Sequence, residues 1–263
     1  MGDRADQIKE LRREPPAFRH VSVGRTEDLS PHLRRFTFVG DELEGLEIDE
    51  PAASVRLLIP SSGTDDLVMP RWAGNEFLLP NGDRPRIRTF TPRYLRSDPP
   101  ELDLDIVLHG DVGASAWAMR ATSGDPAAIS GPGRGYEVDP GSDPLILLGD
   151  ETALPAVGQL LERVPPETRI VAHLEVARSD ARIELPTHPN ASITFHDLAD
   201  GEPPGTALLT AVVAEDIGPD ARVWAAGEAA GVQRIRKHLA EIEFDRARAT
   251  VRGYWKIGRA MPG

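Results

Sequence analysis

Hydrophobic and polar positions follow two different rhythms along the chain. Between His20 and about Pro140 they alternate in short runs, LRRFTFVG, SVRLLIP, RIRTFT and ELDLDIVLHG among them, separated by Gly, Pro, Asn and Asp. Alternation broken by turn residues is the pattern of half-buried strands, so this half predicts a small antiparallel β-barrel. In the last run Leu102, Leu104, Ile106 and Leu108 share the core face. Asp103, Asp105, Val107 and His109 share the other, which is either a ligand-facing surface or a solvated one.

From Pro144 onward the rhythm changes. Apolar strands PLILLGD, RIVAHLEVAR, ASITFHD, RVWAAGE and ATVRGYW are interleaved with the helical patterns ALPAVGQLLERV, TALLTAVV and AAGVQRIRKHLAEI. That alternation predicts a parallel sheet covered by helices, an α/β nucleotide-binding architecture. The segment VDPGSDP is a natural linker. The expected organisation is an N-terminal tail or helix over 1–17, a barrel domain over 18–140 and an α/β domain over 141–263.

Composition narrows the chemistry. Without cysteine the chain forms no disulfide, thiolate-held zinc or iron–sulfur cluster of its own, so electron chemistry needs a bound cofactor. A net charge of −12 opposes a nucleic-acid groove or an anionic membrane. No apolar run approaches the roughly 20 residues of a membrane span, and the start MGDRADQIKELRREPP is unlike a signal peptide. A cytoplasmic monomer is the expectation. Lys9, Lys237 and Lys256 are the only lysines, so arginine is the default cation here and a lone arginine says little. The seven histidines show no metal-ligand spacing, and no protein-bound metal is expected.

Four stretches carry candidate chemistry. In RIRTFTPR, Arg86 to Arg93, the residues Arg88 and Phe90 share one strand face and Thr89 and Thr91 the other. Arg88 suits a phosphate, Phe90 the face of an isoalloxazine ring and Thr91 a flavin ring atom, although an ordinary half-exposed strand reads the same way. In HGDVGASAWAM a strand passes through a turn into a helix starting near Gly113, Ala114 and Ser115, which makes either an anion site or a simple serine cap with Trp117 in the core. LLGDETALPA ends a buried strand at Gly149 and starts a helix near Pro155, where open parallel sheets bind ligands. In VWAAGEAAG, Gly227 and Glu228 either flank the same cleft or supply a first-turn acid.

In this order the motifs resemble those of the siderophore-interacting protein family, a branch of the ferredoxin-reductase-like flavoproteins. The likeness spans nearly all the chain after residue 17, through Arg88 to Arg93, His109 to Ala118, Gly149 to Ala156, Trp224 to Glu228 and Gly253 to Gly258. It implies an FAD-binding barrel and a C-terminal NAD(P)H domain that together reduce the iron of a ferric siderophore and release Fe(II). FAD carries the redox chemistry, so no side chain is expected to be catalytic. The cofactor contacts it implies are Arg88, Thr89, Phe90, Thr91, Arg93, Asp105, Val107, His109, Gly113, Ala114, Ser115 and Trp117. Around the nicotinamide it implies Gly149, Asp150, Glu151, Thr152, Ala153, Gly227 and Glu228. Arg56, Arg134 and Lys256 are the cations matched to the siderophore. Two departures stand out: Phe90 replaces a usual tyrosine, and WKIG stands where WRRG-like sequences are common. The choice between NADH and NADPH stays open, with Arg178 as a possible reader of a 2′-phosphate. So do a siderophore carrier without turnover and a flavin reductase or electron-transfer protein with another donor or acceptor.

Overall fold

A computed structural model describes residues 15–61, 63–110, 113–139, 141 and 143–258, and the structural statements below concern these residues. The expected N-terminal helix falls almost wholly outside them, as do Asp111 and Val112 of the turn before the first helix.

The first half is a seven-stranded antiparallel sheet in the order β6-β3-β9-β1-β2-β8-β7. Its strands are β1 (Arg19–Ser30), β2 (Leu33–Val39), β3 (Val55–Ile59), β6 (Arg86–Phe90), β7 (Pro92–Ser97), β8 (Pro100–Val107) and β9 (Pro126–Ser130). A separate hairpin of β4 (Arg71–Trp72) and β5 (Phe77–Leu78) lies outside it. The sheet curls around Val23, Phe36, Phe38, Leu57, Leu104 and Ile129 without pairing β6 to β7. Helix α1 (Gly113–Arg120) fills that core with Trp117, whose ring stacks on Phe36 at 5.2 Å and on Phe38 at 6.4 Å. The barrel is therefore a half-barrel closed by a helix.

Strand β8 buries Leu102, Leu104 and Ile106 as its alternation requires. Its other face is not solvated, because Asp103 and Asp105 are only 3% and 6% exposed. Arg35 forks onto Asp105 at 2.7 and 2.8 Å, and Arg96 onto Asp103 at 2.9 and 2.7 Å with the Thr37 hydroxyl donating at 2.6 Å. Bidentate guanidinium pairs let carboxylates take the places that apolar residues would otherwise fill.

The second half is a five-stranded parallel sheet in the order β12-β11-β10-β13-β14. The strands are β10 (Leu145–Asp150), β11 (Ile170–Val176), β12 (Ala191–Asp197), β13 (Arg222–Glu228) and β14 (Ala249–Trp255). Helix α2 (Leu154–Arg163) covers the face bearing Leu145, Leu147, Ala172 and Leu174, while α3 (Thr206–Ala214) and α4 (Ala229–Glu241) cover Ile146, Leu148 and Val223. Burial on both faces explains why β10 reads as an unbroken apolar run. The order reverses at β10, so the crevice between the carboxyl ends of β10 and β13 is the switch point where such sheets take ligands.

The halves meet along α2. Arg93 of β7, 6% exposed, forks onto Glu162 at 2.8 and 2.8 Å. Gln159 donates to the Pro92 carbonyl at 2.7 Å and accepts the Ala52 N–H at 2.8 Å. Gly158 makes the approach possible, since a Cβ there would lie 3.1 Å from the Arg93 guanidinium. Leu33, Val107 and Tyr136 of the first half pack into the same apolar cluster as Leu154 and Val157.

Candidate active site

The site has a cationic end and an acidic end, set by different strands. At the cationic end, β6 pairs with β3 so that Leu57 opposes Arg88 and Arg56 opposes Thr89. Opposed residues share a face, which puts Arg88 and Phe90 on the core side with Leu57 and puts Thr89 and Arg56 on the outer side. Phe90 packs against the barrel core, and Arg88 is half-buried with Nη1 donating to the Ile87 carbonyl at 2.6 Å. The Arg88 Nη2 lies 3.7 Å from where a Gly113 Cβ would be, at the start of α1. Arg86 donates to the Gly113 carbonyl at 2.5 Å and to the Pro60 carbonyl at 3.2 Å. Burial lowers the affinity of both guanidinium groups for their proton, and Arg86 is further pushed down by Arg120 and Arg88. Among the described residues none of the three has a carboxylate at ion-pair distance. Arg86 and Arg88, two crowded cations without a carboxylate partner beside the first turn of α1, fit a diphosphate. Arg86 was not singled out from the sequence, because an arginine two places before Arg88 carries no signal in an arginine-rich chain.

The Ser115 hydroxyl accepts the His109 N–H at 2.7 Å and donates to the Gly110 carbonyl at 3.1 Å. Its role is to fix the start of α1, where the Gly113 carbonyl accepts from Arg86. Gly113 holds that turn with φ +62°, a conformation that favours glycine. Thr91 is buried and lies against the Tyr254 phenol, which burial pushes up in pKa while Thr91 draws it back.

Four expected cofactor contacts have partners within the protein, each for a physical reason. Trp117 is in the barrel core, because its ring is what fills the half-barrel. The Asp105 carboxylate is taken by Arg35, and Val107 packs in the seam between the halves. Arg93 bolts β7 to α2 through Glu162.

The acidic end lies at the carboxyl ends of the parallel strands. Asp150 is 7% exposed and accepts four hydrogen bonds. Oδ1 takes the Thr152 N–H at 2.9 Å and hydroxyl at 2.5 Å, while Oδ2 takes the Glu228 N–H at 2.8 Å and the Trp255 indole at 2.7 Å. Burial holds its pKa above the ordinary range against the pull of those bonds. Gly227, at φ +153°, lets the strands close on this carboxylate, since a Cβ there would be 2.6 Å from Oδ2. Glu228 caps α4 by accepting the Gly231 N–H at 2.8 Å. Gly149 approaches closely enough that its Cβ would be 2.7 Å from that of Ala153. Glu151 accepts the Ala177 N–H at 2.7 Å, and burial pushes its pKa up. Glu175, which carries no signal of its own in the sequence, caps α3 through Gly205 at 2.6 Å and Ala207 at 2.9 Å.

The three cations expected to meet a substrate come from separate segments. Arg56 stands opposite Thr89 and Ser130, and its buried Nε has no partner among the described residues. Arg134 is exposed and lines a cavity of about 190 Å³ with Arg222, Arg248 and Arg252. Lys256 is exposed just past β14. The structure brings Arg134 and Lys256 to the two parts of one edge strand without direct contact between them. Arg178 lies 3.5 Å from Asp180 on the surface. No helix among the described residues is long and apolar enough to cross a membrane.

Comparisons with known proteins agree with this layout. The siderophore-interacting FAD-binding domain matches residues 22–136, and the siderophore-interacting protein domain matches residues 142–258. A protein of Mycobacterium tuberculosis is 36% identical over 173 residues, covering 64% of this chain and 61% of that protein, so the match spans under two thirds of that relative's length. The ferric vibriobactin reductase ViuB of Vibrio cholerae is 28% identical over 247 residues, covering 89% of this chain and 88% of its own. The crystal structure of a siderophore utilization protein from T. fusca superposes with a TM-score of 0.83 at 31% identity, covering 94% of this chain and 95% of that one. With both domains matched in order and the fold shared end to end, the chain belongs to the siderophore-interacting protein family.

Proposed function

We propose that the protein is an FAD-dependent reductase that takes electrons from NAD(P)H and delivers them to the iron of a ferric siderophore, releasing Fe(II). The observation that carries this reading is the pairing of a carboxylate-free arginine cluster at the start of α1 with a parallel-sheet switch point in one chain, the barrel meeting the sheet where Thr91 touches Tyr254 of β14. Residues 18–140 form the FAD domain in this reading and 141–263 the NAD(P)H domain, with 1–17 as a tail. The protein works as a cytoplasmic monomer.

Arg86 and Arg88 hold the diphosphate of FAD, assisted by the N–H groups of Ala114 and Ser115 at the helix start, with Gly113 shaping the turn. Phe90 supplies the apolar surface against the ring, Thr89 and Thr91 flank it, and the His109 backbone is fixed by Ser115. Bound there, FAD would supply the hydride-accepting and single-electron chemistry that no side chain of the chain provides. Gly149 and Gly227 let the strand ends close on Ala153 and Asp150, and Asp150, Glu151, Thr152, Ala153 and Glu228 keep in place the backbone that meets the nicotinamide. Arg56, Arg134 and Lys256 draw the anionic chelate toward the ring. No side chain is asked to be a nucleophile or to bind iron in this scheme.

The experiment is the visible spectrum of the purified protein under anaerobic conditions, followed through addition of NADPH and then a ferric siderophore. Flavin bands that bleach and then recover are expected. Bands that stay unchanged with both NADPH and NADH would overturn the donor assignment, and a protein that cannot be loaded with FAD would overturn the reading as a whole. Tight binding of the ferric chelate without donor-driven reduction would make the protein a carrier instead.

A further inference from the structure

Edge strand β14 carries two side chains that lie outside the proposed chemistry and yet anchor two of the proposed acceptor cations. In its middle, Arg252 donates to three carbonyls, those of Ala52 at 3.4 Å, Arg134 at 3.1 Å and Gly135 at 2.6 Å. The loop bearing Arg134 is thereby stapled to the strand, and the Gly133 N–H fixes its other side through the Ser54 carbonyl at 2.6 Å. At the end of β14, the Trp255 indole donates to Asp150 at 2.7 Å. Just beyond, the Ile257 N–H reaches Glu228 Oε1 at 3.4 Å. Lys256 lies between two anchored neighbours while its own side chain is exposed.

We propose that Arg252 and Trp255 are positioning residues for the electron acceptor: they fix the separation of Arg134 and Lys256 so that one anionic iron chelate meets both cations together. The proposal rests on the acceptor role given to those two cations above. The physical case is that an exposed, mobile cation contributes little alone, whereas a second cation held at a set distance makes its contact intramolecular once the first has formed. The two anchors, Arg252 and Trp255, are three residues apart, about 10 Å of strand, so the loop of Arg134 and the segment of Lys256 are tied to one rigid edge. A guanidinium suits the middle position because its planar fork can serve several carbonyls at once, which an ammonium does with less geometric control.

The test uses the FAD-loaded protein with NADPH and two acceptors, an anionic ferric tris-catecholate and a neutral ferric trihydroxamate. Arg252→Gln and Trp255→Phe are each expected to raise the apparent KM for the anionic chelate about fivefold, and for Arg252→Gln kcat, FAD content and the rate of flavin bleaching by NADPH stay within twofold of the parent. The KM for the neutral chelate stays put. In the background of Arg134→Gln, adding Arg252→Gln raises KM no further, because it acts through the residue already removed. Arg252→Lys restores part of the loss. A merely structural role is revealed by a lower melting temperature with KM unchanged, or changed equally for both chelates, and either result overturns the proposal. If Arg134→Gln combined with Lys256→Gln leaves the anionic KM unchanged, the acceptor reading itself has failed. If that pair raises KM and the two β14 variants do not, only the positioning inference is lost.

Discussion

The barrel end and the sheet end of the site fix their backbone with opposite charges. At the barrel end, arginines donate to carbonyls: Arg86 to Gly113 and Pro60, Arg88 to Ile87. At the sheet end, carboxylates accept N–H groups: Asp150 from Thr152 and Glu228, Glu175 from Gly205 and Ala207, Glu228 from Gly231. The difference matters because a guanidinium bonded to carbonyls keeps its full charge on offer to an anion. A carboxylate capping a helix instead cancels the positive end that an anion would seek. In the proposed reading the barrel end suits a firmly held phosphate, and the sheet end suits rigid strand ends and a looser, exchangeable ligand. A resident cofactor on one side and a visiting donor on the other follow from that asymmetry.

The largest effect expected from disturbing it is at Gly227. Alanine there would push a methyl to within 2.6 Å of the Asp150 carboxylate at a φ that suits only glycine, so Gly227→Ala should cost about 3 kcal/mol. The check is chemical denaturation together with NADPH-driven flavin bleaching. A variant as stable as the parent would show that the strand ends are not held as tightly as the four bonds to Asp150 indicate.

Next is the cationic end. Arg88→Ala removes a half-buried charge-assisted donor and should weaken FAD binding by about 2 kcal/mol, roughly thirtyfold, read by flavin fluorescence on titrating the apoprotein. Arg86→Ala should weaken it less, because part of its work is on the Gly113 carbonyl. Equal FAD affinity in both variants would place the diphosphate somewhere else. The comparison sharpens further with Glu162→Gln, which loosens the Arg93 bolt. That variant should slow hydride transfer severalfold while leaving FAD affinity alone, as stopped-flow bleaching would show.

Much of this was legible in the sequence, and unevenly so. The parallel half was read element by element because strands such as LILLGD are buried on both faces and their helices run with period 3.6. In the barrel half, β1 gives a weak signal, since its residues Arg25 to Asp28 face water and only Val21 and Val23 reach the core. The site was visible as motifs but not as roles. Trp117 and Arg93 look alike in sequence whether they touch a cofactor, fill a core or join two domains, and only packing separates these. Glu175 and Arg252 were invisible because their partners, Gly205 and the carbonyls of Ala52, Arg134 and Gly135, lie far along the chain.

The smallest expected effect is a difference in acid response between the two halves. Glu101 is forked by Arg25 and Arg96, which hold its pKa down at about 2. A folded pKa below the ordinary 4.5 contributes stability that is present above that value and lost as pH falls toward about 2. Asp150 runs the other way, because burial raises its pKa above the ordinary 3.8. Its contribution is fully present below 3.8 and is lost as pH rises through the raised value. Acidification from pH 7 to pH 4 should therefore lower hydrogen-exchange protection in the barrel around Glu101 while sparing, or slightly raising, protection at the ends of β10 and β13. Glu101→Gln should remove the barrel's dependence and leave that of the sheet. Protection that falls equally in both halves would mean that the buried carboxylate is already matched to its four donors, and that the contrast in charge between the two ends has no energetic counterpart.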